Sequence, residues 1–542
     1  MIDRTPTLAR GLLGACALLT LSPPAVVAQE PEAQPGSSAG AAAAASRLLE
    51  EESSSRLGRV RIAGQVVDYR ATVGDLVLRD DQGEPRARVT YVSYVREGGD
   101  PATRPVTFAF NGGPGSASVW VHLGAFGPKR ALLDEEGFPL GPPPGRLIDN
   151  EHSVLDVTDL VFVDPVETGW SRPAPEVPSS EFTGYTNDVE SVGELIRHWV
   201  SRHGRWASPK LVAGESYGTT RSAGLAAHLQ DVHGMHLNGV VLLSSVINWQ
   251  TKVFNVGNDL PYPLILPTYT ATAWYHGQLG DRFPSLEAAL DASREFALGE
   301  YSSALMLGDR LRGERRDAVR ARLAELTGLS EEYLEQADLR VEIFRFTKEL
   351  LREEGRTVGR LDARYTGSDL DGAGERFDYD PAGAVFDAYY VSLLKDYLRR
   401  ELGFDREASF RHSAGGKVRP WSYHETGRTQ GYGTNAYANY AETLRAAMHE
   451  NPYLHVLVLS GYYDMATPFF ATDYTIDHMQ LDPALRDNVT TVYFKAGHMM
   501  YVKQSELARM REAFVAFVRD ALEDDGGALA RRVLTGASGP RP

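Results

Sequence analysis

Apolar and polar positions alternate along this chain in two different periods, and the period changes divide it. Residues 60–95 are rich in Val, Tyr and Thr around a turn at Asp80-Asp81-Gln82-Gly83, which predicts antiparallel strands at one edge of a sheet. Short continuous apolar runs follow at 106–110, 159–163, 210–214 and 239–247. Runs of that length read as core strands. Between the second and third, Val189, Val192, Leu195, Ile196 and Trp199 recur at helical spacing. Strand and helix in alternation predict a mostly parallel sheet. Residues 251–425 then read as helix after helix, for example 286–298 and 311–326, with few strand-like runs. Strands return near 455. A last amphipathic helix over 507–522 places Met510, Phe514, Phe517 and Val518 on one face.

Candidate chemistry sits at the ends of these strands. Gly214-Glu215-Ser216-Tyr217-Gly218 follows the apolar run Leu211-Val212-Ala213 and precedes helix-compatible sequence. Strand, sharp turn and helix around a G-x-S-x-G is the context of a nucleophile elbow. Asn111-Gly112-Gly113-Pro114-Gly115-Ser116 follows the strand 106–110, and such a loop presents backbone N–H groups to an anion. No Gly-Lys-Ser/Thr follows it, which excludes a nucleotide P-loop. Two late strands end in Asp464 and in Gly497-His498. The chain holds 72 acids and 14 histidines, so either residue alone carries little weight. Three strand-end residues in the order Ser216, Asp464, His498 carry much more, because that is the triad order of α/β-hydrolases. The expected fold is an α/β-hydrolase: a mostly parallel central sheet, an N-terminal antiparallel extension and a helical cap insertion.

With these residues in hand, the chain resembles the serine carboxypeptidase family. Asn-Gly-Gly-Pro-Gly, Gly-Glu-Ser-Tyr, an Asp shortly after a strand-ending Gly, and Gly497-His498-Met499 are all present. Asp164-Pro165-Val166-Glu167-Thr168-Gly169-Trp170-Ser171 is similar to a fifth family stretch. The resemblance covers roughly residues 105–250 and 450–502. It implies Ser216 as nucleophile, His498 as general base and acid, and Asp464 as the residue that orients the imidazole. It also implies an oxyanion hole from the Gly113 and Tyr217 N–H groups. Asn111, Gly112 and Glu215 would bind the free C-terminal carboxylate of a peptide. Three positions depart from the family pattern: Gly218 stands where Ala is common, Ala109 where a Trp wall is common, and Ser116 where Cys is common. The one cysteine, Cys16, lies in the leader, so the processed chain is expected to hold no thiol or disulfide, which resembles a bacterial branch.

The carboxylate site has its own physical logic. A peptide carboxylate beside Glu215 places two like charges a few ångströms apart, so one must take a proton. Peptide binding is therefore expected to weaken as pH rises toward neutrality.

Composition sets outer bounds. The chain has 542 residues, 43% of them hydrophobic, enough for a large core and more than one domain. A net charge of −16 argues against nucleic acid or anionic membranes as partners. Arg4 and Arg10, an apolar stretch from Gly11 to Leu21 and Val26-Val27-Ala28 read as a secretory signal cut after Ala28. Lipoprotein processing at Cys16 is the rival, and the protein is expected in the periplasm or secreted. No other run is long enough for a stable membrane span. The expected division is 1–28 signal peptide, 29–55 disordered linker, 56–250 first part of the core, 251–425 cap, 426–525 second part of the core, and 526–542 loose tail. His228, His233 and His236 fit no standard metal spacing, and neither metal nor organic cofactor is expected. Asn488-Val489-Thr490 is a glycosylation sequon, and Tyr462-Tyr463 are assigned to packing. The reading is a serine-type carboxypeptidase acting on peptide or protein C-termini. The alternatives are an esterase or acyltransferase on the same scaffold and a non-catalytic binding protein.

Overall fold

The computed structural model describes residues 50–423 and 437–523. The expected signal peptide, Cys16, the 425/426 boundary and the C-terminal tail lie outside the described residues.

Three antiparallel strands come first: β1 (Ser53–Ile62), β2 (Gln65–Arg79) and β3 (Pro85–Arg96). β1 starts inside the stretch expected as linker. Its acidic lead-in is fixed to the body: Glu51 accepts from the Val77 N–H at 2.9 Å and pairs with Arg202 at 2.7 Å. The short strands β4 (Val106–Phe110) and β5 (Asp159–Val163) are buried at every position, as continuous apolar runs require. Helix α1 (Tyr185–Arg202), strand β6 (Lys210–Glu215), helix α2 (Tyr217–His233) and strand β7 (Gly239–Leu243) follow. β7 is shorter than expected. Ser244 takes φ 49° and turns the chain off the sheet.

Helices α3 (Pro261–Tyr275), α4 (Leu286–Phe296) and α5 (Gly313–Thr327) open the insertion. Helices α6 (Pro381–Arg400) and α7 (Ala441–Glu450), strands β8 (His455–Gly461) and β9 (Val489–Phe494) and helix α8 (Gln504–Leu522) complete the described chain. The main sheet runs β1-β2-β3-β5-β4-β6-β7-β8-β9, with Arg172–Pro173 pairing β3. From β5 onward neighbours are parallel. This is the α/β-hydrolase fold, with the antiparallel extension at one edge.

Each face of the sheet has its own apolar cluster. One gathers Val161, Leu195, Trp199, Val212 and Leu444, so α1, α2 and α7 cover that face. The other gathers Phe162, Leu211, Leu457, Phe514 and Phe517, where α8 packs. The helices of the insertion join two different clusters. Residues 262–363 form a third cluster with the 463–471 segment, but Phe386, Tyr390, Leu394 and Tyr397 of α6 join the α8 face of the sheet. An amphipathic pattern shows that a helix buries a face without showing against what.

Candidate active site

Parallel alignment brings the strand ends into line. Phe110 of β4 pairs with Gly214 of β6, Glu215 with Leu243 of β7, Leu243 with Leu459 of β8, and Gly461 with Phe494 of β9. The residues that follow each strand therefore emerge side by side, where open α/β sheets build their sites.

Ser216 stands between β6 and α2 with φ 61° and ψ −127°, outside the ordinary range for a side chain bearing Cβ. The surroundings hold it there. The Ser216 N–H donates to the Leu243 carbonyl at 3.0 Å, and the Ser216 carbonyl accepts from Thr219 N–H at 2.9 Å. A Cβ at Gly214 would lie 2.1 Å from the Gly218 carbonyl oxygen, so the turn closes only on glycine. A Cβ on Gly218 would lie 3.1 Å from the Phe110 carbonyl oxygen, a tight fit for the Ala common in the family. Below the elbow, Arg221 of α2 meets Asp188 of α1 through Nε at 2.8 Å and Nη2 at 3.0 Å, and its Nη1 donates to the Asn111 carbonyl at 3.0 Å. All three are buried. This clamp ties elbow to glycine loop and was not anticipated from sequence.

The glycine loop lies directly on the elbow. A Cβ at Gly112 would lie 2.4 Å from Tyr217 N and 2.6 Å from the Glu215 carbonyl oxygen. Gly113 has φ 106°, which favours glycine. Tyr217 is the first residue of α2, so its N–H has no intrahelical acceptor. The Asp164–Ser171 stretch buttresses the loop: Asp164 accepts from Ser118 N–H at 2.8 Å and Ser118 Oγ at 2.9 Å. Burial pushes the Asp164 carboxyl up to about 6 against these bonds. Glu167 pairs with Arg411, and Gly169 exchanges backbone hydrogen bonds with it. Residues 411–414 thereby lie along the loop, where Ala117 N–H donates to the His412 carbonyl at 3.0 Å.

His498 and Asp464 are buried, at 5% and 0% exposure. Their side chains meet at 2.7 Å between Nδ1 and Oδ2. Asp464 also accepts from Ala466 N–H at 2.8 Å, Thr467 N–H at 3.0 Å and Thr467 Oγ1 at 2.5 Å. Burial alone would raise its carboxyl, but His498 and the Thr467 donors hold it below the ordinary value. Burial works the opposite way on His498, yet Asp464, and behind it Glu215, keep the imidazole above its ordinary value. The histidine turn is fixed by a segment of the insertion. Its N–H donates to the Leu361 carbonyl at 2.7 Å, and Gly497 N–H donates to Asp362 Oδ2 at 3.1 Å. Asp362 is itself paired with the buried Arg364. Ser244 Oγ donates to the His498 carbonyl at 2.7 Å, a use for the early end of β7.

A cleft of about 230 Å³ is lined by Asn111, Gly112, Gly113, Trp120, Glu215, Ser216, Arg360 and His498, among others. Both oxygens of the Glu215 carboxyl have donors: Asn111 Nδ2 reaches Oε1 at 2.7 Å and Tyr501 OH reaches Oε2 at 2.6 Å. Asn111 is held in turn, its Oδ1 accepting from Trp120 and Val121 N–H at 3.2 Å each. Burial pushes the Glu215 carboxyl up to about 7, with Asp464 adding to it; His498, Tyr501 and Asn111 pull the other way. Tyr501 fits because Gly124 has no side chain: a Cβ there would lie 2.3 Å from its ring. Trp120 stands in the wall. Ala109, at the position where the family has its Trp, is buried in the sheet.

Residues 81–292 match a sequence profile whose family is described as serine carboxypeptidase. That span contains Asn111, Glu215 and Ser216 but not Asp464 or His498. Serine carboxypeptidase-like 16 of Arabidopsis thaliana is 27% identical over 140 residues, 25% of this chain and 30% of that protein. Serine carboxypeptidase-like 45 of the same plant is 24% identical over 202 residues, 36% of this chain and 39% of that protein. The chain thus spans about a third of the length of the curated relatives it matches. Solved structures with similarity include a peroxisomal α/β-hydrolase from Saccharomyces cerevisiae, with TM-score 0.34, 9% identity, and 87% of this chain and 89% of that chain covered. A highly thermostable carboxyl esterase from Bacillus coagulans has TM-score 0.33 and 11% identity, with 83% of this chain and 98% of that chain covered.

Other candidate features fall away. Tyr463 packs against Tyr275 and Tyr462 stacks on Tyr493. Asn488 is buried, its Nδ2 donating to the Pro452 carbonyl at 2.9 Å, so the sequon is not presented. Among the described residues no group of three or more metal-ligating side chains comes together, and no helix is long and apolar enough to cross a membrane.

Proposed function

We propose that this protein is a serine-type carboxypeptidase, a bacterial-type member of the serine carboxypeptidase family, that removes the last residue of a peptide through an acyl-enzyme. The observation that carries this reading is the Glu215 carboxyl. It is buried beside Ser216 and His498, held by Asn111 and Tyr501, with its pKa pushed up to about 7. A protonated carboxyl there offers a hydrogen bond to a peptide's terminal carboxylate; an ester has no such group to present.

In the proposed reaction Ser216 Oγ attacks the last peptide carbonyl while His498 takes its proton. The oxyanion lies against the Gly113 and Tyr217 N–H groups. His498 returns the proton to the departing amino acid, and water, deprotonated by His498, then releases the shortened peptide. Asp464 keeps Nδ1–H donated and stabilises the imidazolium. The route uses no metal or organic cofactor. The reading extends to export, with cleavage after Ala28 and residence in the periplasm or outside the cell; N-terminal sequencing of the exported protein tests it, and a lipid-modified Cys16 would overturn it.

An N-blocked dipeptide, its C-terminal amide and an activated ester test the activity together. The free-acid dipeptide should release its amino acid most strongly at acid pH, and the amide should be poor. Ser216→Ala should reduce turnover by about 10⁴-fold or more. Ester cleavage without amino-acid release would move the assignment to an esterase. Failure of a fluorophosphonate to label Ser216 would favour a binding protein.

A further inference from the structure

A second cavity, of about 250 Å³, lies beside the first and shares Arg360 with it. Its charged lining is Lys252, Arg360, Arg376 and Glu342. Glu342 faces Arg376 at 3.5 Å, so those two offset one another. Lys252 makes no ion pair among the described residues. Its ammonium donates to the Ala466 carbonyl at 2.7 Å and lies 5.3 Å from the centre of the Trp249 ring. Among the described residues Arg360 comes no nearer to a carboxylate than 4.0 Å, at Asp380, whose oxygens already accept from Leu361 and Ala382 N–H. A carboxylate among the described residues does not close this cavity's positive charge.

Position gives the charge a use. Asn111 follows β4, on one side of Ser216, and reaches Glu215 at the end of β6. Lys252 leads out of β7, and Ala466 follows β8, two strands on the other side. Arg360 is tied to that side through its carbonyl, which accepts from Met465 N–H at 3.0 Å. A peptide whose terminal carboxylate meets Glu215 and whose last carbonyl meets Ser216 has its preceding residue directed over β7 and β8.

We propose that Lys252 and Arg360 form a subsite for an acidic side chain on the penultimate residue of the substrate, the residue whose carbonyl Ser216 attacks. This rests on the carboxypeptidase reading. A carboxylate seated there replaces water around two cations, and a neutral amide of the same shape does not. Burial lowers the Lys252 ammonium to about 8, with Arg360 adding and Asp464 opposing, which leaves it charged at pH 6.

The test uses the purified full chain at pH 6 with N-blocked dipeptides carrying Glu, Gln or Leu before a constant last residue. In parallel, N-acylated aminoalkyl phosphonate esters bearing the same three side chains beside phosphorus are timed as they label Ser216. The parent should favour Glu over Gln by about tenfold in both assays, the scale of one ion pair in a partly desolvated site. Lys252→Gln should bring that ratio near one. Lys252→Glu, tested with a Lys dipeptide added to the set, should shift preference to the lysyl side chain, a gain that misfolding cannot produce. A parent ratio near one, or a ratio untouched by Lys252→Gln, would overturn the subsite. Failure to cleave any dipeptide, with the Glu preference kept in phosphonate labelling, would overturn the carboxypeptidase reading and support an acidic subsite beside Ser216.

Discussion

A methyl group at position 112 would press on the Tyr217 nitrogen and the Glu215 carbonyl at 2.4 and 2.6 Å, and both are backbone. Neither can swing aside, so Gly112→Ala must part the loop from the elbow. We expect turnover to fall by about 10²–10³-fold, the cost of losing one oxyanion donor, measured as the acylation burst with an activated ester. Glu215 permits a prediction with a sign. Its carboxyl titrates at about 7 in the fold against 4.5 ordinarily. Between those values the folded chain keeps a proton that the unfolded chain has lost, so stability declines as pH rises from 4.5 to 7, by about 3 kcal/mol at most. Glu215→Gln has no such proton. Its Tm should gain on the parent's across that interval, and its KM for peptides should lose the rise that the parent shows toward neutral pH. A constant Tm difference from pH 4.5 to 7.5 would contradict the titration. Ser216, Glu215, Asn111, Asp464 and His498 were legible because each lies in a short local pattern at a strand end. Tyr501, Arg360 and Asp362 were not. Tertiary packing alone recruits them, and a tyrosine in the apolar run after His498 has no mark that separates it from core.

Helices α1 and α2 are joined by a charge pair where hydrophobic packing would ordinarily suffice. Asp188 and Arg221 are both buried, and burial pushes the Asp188 carboxyl up against the pull of the guanidinium. Removing one partner leaves an uncompensated charge. Arg221→Leu should lower stability by about 3–5 kcal/mol, read from urea unfolding, and Asp188→Leu added to it should recover part of the loss. Elements were legible where burial is two-sided: β4 and β5 coincide with the apolar runs 106–110 and 159–163. β7 stops early because Ser244 serves the histidine turn, and β1 begins early because paired acids precede it. Both departures come from partners remote in sequence. The same is true of α6, whose apolar stripe looks like its neighbours' although it packs on the sheet rather than with the insertion.

At the scale of the molecule, the site draws on strand ends that follow residues 110, 215, 461 and 494 and on a clamp at 361–362. The sheet was legible as a whole because alternation of strand and helix survives without knowledge of contacts. The second cavity was not, because Lys252 lies more than a hundred residues before Arg360 and Arg376 and meets them only in the fold. Asp362→Ala should test how far the clamp matters: with Gly497 N–H losing its acceptor and Arg364 left with Glu136, kcat should fall more than KM rises, and its pH profile should shift as His498 loosens. A raised KM with kcat unchanged would assign Asp362 to binding alone. The place of His498, after the last strand, has one more consequence. A ribosome that has completed residue 480 holds a chain with Ser216 and Asp464 and without His498. On the proposed mechanism, a copy that stops short of residue 498 lacks the group that takes the Ser216 proton and is inert toward peptides.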